Sequence, residues 1–100
     1  MRKVEIQGNE INNEDELHEF LKKQLEFPDY YGENLSALWD CLTDLLPEEV
    51  TIEWFDFAES RKKFGKYALG ESVAEEFVSL FKRAEESDLM AGRFKLILHE

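Results

Sequence analysis

The chain has 100 residues, 43% of them apolar and 13% aromatic, with a formal net charge of −11. This length builds one domain with a modest core, the apolar content excludes a disordered chain, and the single cysteine, Cys41, excludes an internal disulfide and suits a reducing compartment. The negative charge argues against nucleic acid or an anionic membrane as a partner. MRKVEIQGNE has no signal-like apolar stretch and the chain has no apolar run of roughly 20 residues, so the expected location is cytoplasmic.

Residues 2–7, RKVEIQ, alternate apolar with polar side chains and predict a strand. Asn13, with Glu16 three residues on, forms a capping box. The helix that follows places Leu17, Phe20, Leu21 and Leu25 on one face, and His18 is expected to face solvent. Pro28 ends this region, because the residue before a proline avoids the helical conformation. A short loop, Pro28 to Gly32, leads into a second helix of roughly residues 34–45, capped by Asn34 and closed by Pro47. VTIEWF, residues 50–55, is β-branched and aromatic and predicts a buried strand. A short polar helical stretch follows around 56–64, then FGKYALG, a loop with two glycines. A helix from about Glu71 to Glu86 carries Val73, Phe77, Leu80, Phe81 and Ala84 at helical spacing, and RFKLIL, residues 93–98, is the last strand. The order β-α-α-β-α-α-β predicts an α/β fold with a parallel sheet.

The second helix separates its residues cleanly. At about 100° per residue, Leu35, Leu38, Leu42, Leu45 and Leu46 form one apolar stripe with Cys41 on its edge. Asp40 falls almost opposite that stripe. Ser36 and Thr43 flank it, Asp44 completes the polar face, and Trp39 straddles the boundary. Tyr30 and Tyr31 sit one turn ahead in the preceding loop. Charge is segregated as well: Gln24 to Ser60 hold ten acids and no lysine or arginine, whereas the other 63 residues hold 13 acids and 12 bases. Two readings follow from this geometry. Half-exposed Trp and Tyr beside charge are the residue types of an interface centre; alternatively, Trp39 covers the rim of the core and Asp40 solvates the helix.

PDYYGENLSALWDCLTD closely resembles the central segment of the barstar family, intracellular inhibitors of the secreted ribonuclease barnase. The resemblance extends across the chain, through the DELHEFLKKQL helix, the VTIEWFDF strand, the ESV-type helix and the final KLIL strand. It implies a single barstar-like domain over residues 1–100, with a three-stranded parallel β-sheet packed against about four α-helices. It also implies a non-enzymatic inhibitor with no cofactor or metal, monomeric when free, whose partner is a small basic ribonuclease. Asp40 then matches the aspartate that occupies the substrate phosphate position, where a fixed carboxylate replaces the anion with charge-assisted hydrogen bonds. Tyr30 and Tyr31 match the aromatic pair that packs on the catalytic pocket. Asn34, Leu35, Trp39 and Thr43 match further contacts, with Ser36 and Asp44 on the same face, and Gly32 lets the backbone approach closely. Two positions depart from the family: Ser36, where an acid is common, and Arg83, which aligns with an acidic contact of the late helix.

Other signals are weaker. Asp40 and Asp44, spaced i, i+4, lack the further ligands a cation site needs, and Cys41 with His18 lacks a third group for catalysis. Arg61, Lys62, Lys63 and Lys66 form the one dense basic cluster and read as a solvated loop; with Phe64 and Tyr67 they are also candidates for RNA or for the acidic face of another copy. The alternatives to a barnase-like target are immunity to a different nuclease toxin, a DNase or tRNase, and an acidic interaction domain without a nuclease partner.

Overall fold

The computed structural model describes residues 2–44 and 48–100. Its elements are β1 (Arg2–Gln7), α1 (Glu14–Gln24), α2 (Leu35–Asp44), β2 (Val50–Phe55), α3 (Phe57–Phe64), α4 (Val73–Glu86) and β3 (Phe94–Leu98). Leu45, Leu46 and Pro47, which the sequence places at the end of the apolar stripe and at the helix stop, lie outside the described residues.

The strands pair in the order β1-β2-β3, all parallel, and four helices accompany them among the described residues. This is the α/β architecture that the element order and the resemblance predict. Val4, Ile52 and Leu96 stand side by side across the sheet, as do Ile6, Trp54 and Leu98. Side chains alternate across a pleated sheet, so these rows share one face. On it Val4, Ile6, Val50, Ile52, Trp54 and Phe94 are buried, whereas Lys3, Glu5, Thr51, Glu53 and Lys95 on the other are exposed or half-buried. VTIEWF is the central strand, buried on one face and half-buried at Thr51, Glu53 and Phe55 on the other. Lys3 binds Glu5 and Glu53 on the open face, and His99 binds Glu53 at 2.7 Å.

The core side is aromatic. Trp54 is fully buried, donates its Nε1–H to Ser60 Oγ at 2.9 Å and meets Phe57 edge-on at 4.9 Å between centroids. Val73, Phe77, Leu80, Phe81 and Ala84 of α4 are all buried, as their spacing predicts. Ser72 caps α4, its Oγ accepting from the Glu75 amide. Asn13 caps α1 as expected, its Oδ1 accepting from the Glu16 amide, while Glu16 Oε1 reaches back to the Asn12 amide, one residue before the cap. Glu85 of α4 accepts the Leu96 N–H of β3 at 3.1 Å.

Two sequence expectations are overturned. His18 is 1% exposed rather than solvent-facing, and it packs on Phe77 at 5.0 Å. The basic cluster is not a free loop. Arg61, Lys62 and Lys63 lie on the last turn of α3. Arg61 pairs with Glu75 and Glu100 and covers the Phe57 ring, Lys62 pairs with Glu59, and Lys63 donates to the Asn9 carbonyl at 2.7 Å. Among the described residues no helix is long and apolar enough to cross a membrane.

Candidate functional site

α2 begins at a built cap. Asn34 Oδ1 accepts the Ala37 N–H at 2.8 Å, and the Asn34 carbonyl accepts the Leu38 N–H at 2.9 Å. Glu33, just before it, turns the chain through the left-handed region at φ 51, a conformation that costs a non-glycine residue about 1–2 kcal/mol. A Cβ on Gly32 would stand 3.2 Å from Asn34 Nδ2. Glycine at that position therefore makes room for the cap.

The loop leading into α2 splits its tyrosine pair. Tyr30 is 82% exposed, whereas Tyr31 is 6% exposed. Tyr31 sits against Phe27 at 4.9 Å and shares a 2.6 Å hydrogen bond with His18 Nδ1. Burial pushes the Tyr31 phenol above its ordinary range, and burial lowers His18, with Glu14 and Asp15 opposing in part. The resemblance implies two outward rings; the structure leaves that to Tyr30 and makes Tyr31 an anchor of the loop. The deciding contact is tertiary, between α1 and the loop, and leaves no trace in the local pattern. His18 was findable, because it lies three residues before Leu21 and seven before Leu25, on the buried side of the helix.

The outward face of α2 is as the wheel places it. Ser36, Asp40 and Asp44 are exposed; Leu35, Trp39 and Thr43 are half-buried; Leu38, Cys41 and Leu42 are buried. Thr43 turns its hydroxyl back to the Trp39 carbonyl at 2.9 Å. Burial raises the Cys41 thiol, helped by Asp40 and Asp44, which disfavours a reactive thiolate. Among the described residues no three His, Cys, Asp or Glu side chains are grouped as a metal site.

Asp40 forms no ion pair and no side-chain hydrogen bond among the described residues, and neither do Glu33 and Asp44. Four other acids of the cation-free stretch are answered from other parts of the chain, Glu26 and Glu48 by Arg2, Glu53 by Lys3 and His99, and Glu59 by Lys62, whereas Asp29, Glu49 and Asp56 have no ion pair among the described residues. Four of the six acids left open in that stretch, Asp29, Glu33, Asp40 and Asp44, thus lie on α2 and the loop before it. The helix does not benefit. α1 carries acids in its first turn and lysines in its last, whereas α2 has no acid in its first turn and no base in its last. Asp40 and Asp44 instead load the negative end of the helix dipole. Arg83 of α4 lies over the Trp39 ring, 4.8 Å from its centroid, a neighbour that sequence spacing could not supply.

A family model described as "Barstar (barnase inhibitor)" matches residues 1–98. The chain belongs to the barstar family. A Bacillus subtilis (strain 168) protein named "Putative ribonuclease inhibitor YrdF" is 38% identical over 98 residues, covering 98% of this chain and 99% of the relative. In this barstar-family chain the quoted motif spans the loop, its cap and the whole of α2.

Proposed function

We propose that this protein inhibits a small secreted ribonuclease by covering its cationic active site with the Tyr30 loop and the outer face of α2. The observation that carries this reading is Asp40, a carboxylate held outward on a capped helix beside Trp39, with no cation among the described residues to answer it. A ribonuclease site gathers positive charge to hold phosphate. A rigid carboxylate placed there accepts the same donors without offering a bond to cleave. Tyr30, Trp39 and Leu35 supply apolar contact around the anion, and Asn34 fixes the angle at which the helix presents it. Family membership and the relative's name support the same class of target. Inhibition by occlusion needs no catalytic group.

The test is RNA cleavage by a panel of small secreted ribonucleases, barnase among them, titrated with the protein. Stoichiometric loss of cleavage is expected for at least one enzyme, and Asp40→Ala is expected to abolish it. Full cleavage by every enzyme at excess protein rejects the reading. Ser36 and Arg83 favour a second reading, immunity to a nuclease with another substrate; the same titration with DNA and tRNA substrates and their nucleases separates the two.

A further inference from the structure

α2 and α4 pack together, and their outer edges enclose a cleft of about 240 Å³. α2 lines it with Leu35, Ser36 and Trp39, and α4 with Glu76, Ser79 and Arg83. The Arg83 side chain makes no ion pair and no hydrogen bond among the described residues, and it lies over the Trp39 ring. Arg2 and Arg61, by contrast, each hold two carboxylates. A guanidinium lying over an indole is held by cation–π attraction and keeps its N–H donors free for a carboxylate. The residue is exposed, so that fork of donors is open to a partner.

We infer that Arg83 is a specificity-determining residue, receiving a carboxylate of the target nuclease at the rim of the cationic site that Asp40 enters. This rests on the reading of α2 as the nuclease-binding face. The face is a dipole rather than a uniform anion: Asp40 precedes the next turn of α2, Arg83 projects from α4, and Trp39 lies between them. A fitting enzyme therefore carries an aspartate or glutamate beside its phosphate-binding cations, spaced as Arg83 is from Asp40. A planar guanidinium already oriented by the indole accepts a carboxylate through two parallel hydrogen bonds. An enzyme with a lysine or arginine at that second point meets a like charge and is rejected. Exposed Glu and Lys elsewhere on α4 lack such a platform.

The experiment measures inhibition constants for wild type, Arg83→Met, Arg83→Lys, Arg83→Glu and Asp40→Ala against the ribonuclease panel that includes barnase. The enzyme inhibited best is then scanned with Asp→Asn and Glu→Gln changes around its active site. Arg83→Met is expected to weaken inhibition of that enzyme roughly ten- to hundredfold, the range of a charge-assisted hydrogen bond. Arg83→Lys falls between Met and wild type, and Arg83→Glu is worse than Met. One carboxylate-to-amide enzyme variant is expected to lose affinity for wild type and not for Arg83→Met. If Arg83→Glu inhibits as well as wild type and no carboxylate couples, while Asp40→Ala still abolishes inhibition, Arg83 has no part and the face itself stands. If wild type inhibits none of the panel, the face falls and this inference with it.

Discussion

Asp40 and Asp44 stand four residues apart on α2, in its C-terminal half. Like charges at that spacing repel, and both oppose the helix dipole. Neutralising Asp40 as Asn is therefore expected to stabilise the fold by about 0.3–1 kcal/mol, a rise of a few degrees in Tm, while inhibition falls by more than about 2 kcal/mol. The barnase–barstar pair is itself the reference case for hot spots of this kind, and the size of the binding loss is taken from it. Thermal melts beside inhibition constants check the pair of signs; a variant that loses stability together with binding would mean the carboxylate serves the fold. His18 makes a different kind of prediction. Burial lowers its folded value, so the unfolded chain binds more protons wherever the two values differ. The stability it contributes is complete above the unfolded value of about 6.5 and is lost as pH falls from there through the folded value. Urea midpoints of wild type should drop across that window, and those of His18→Gln should drop less. Parallel pH profiles would show that the imidazole takes up its proton alike in both states.

Gly8 closes β1 against the start of α3. A Cβ there would lie 2.5 Å from the carbonyl oxygens of Phe55 and Asp56 and 2.6 Å from Ser60 Oγ. Backbone atoms cannot yield as a flexible side chain does, and the Gly8 N–H already binds the Phe55 carbonyl at 2.8 Å. Gly8→Ala is expected to cost at least about 1–3 kcal/mol, read as a lower urea midpoint; an unchanged midpoint would mean the strand end moves freely. Nothing in RKVEIQGNE announces this, because the crowding comes from residues about fifty positions away. The same distinction explains what the sequence tells about the other elements. α4 and the outward face of α2 were legible, since a period of 3.6 residues fixes which way each side chain points once the stripe is known. β2 was half legible: its composition marks a strand, but Thr51 and Glu53 among apolar neighbours already hinted at one open face. Tyr31, Arg83 and the pairing of Arg61 and Lys63 were not legible, because each depends on another element arriving beside it. His18 was misjudged by residue type when its position in the helix said otherwise.

Charge at the scale of the whole molecule is sorted rather than scattered. Arg2, Lys3, Arg61 and Lys62 bind carboxylates around the sheet and α3, while Asp29, Glu33, Asp40 and Asp44 stay open on α2 and the loop before it. Such a field steers a cationic partner toward one side. With a ribonuclease from the panel that it inhibits, the association rate is expected to fall about tenfold or more between roughly 0.01 and 0.5 M salt, as the Debye length shrinks from about 30 Å to a few ångströms. Stopped-flow fluorescence measures this, and a rate indifferent to salt would remove steering from the account. The opposite rim of the molecule has its own provision. Glu85 reaches from α4 to the Leu96 amide on the outer side of β3, where a stray extended peptide would otherwise find a donor waiting. Crowded copies are thereby denied one of the footholds from which ribbons zip together, and the negative charge that blocks it also repels a newcomer as acidic as the chain itself.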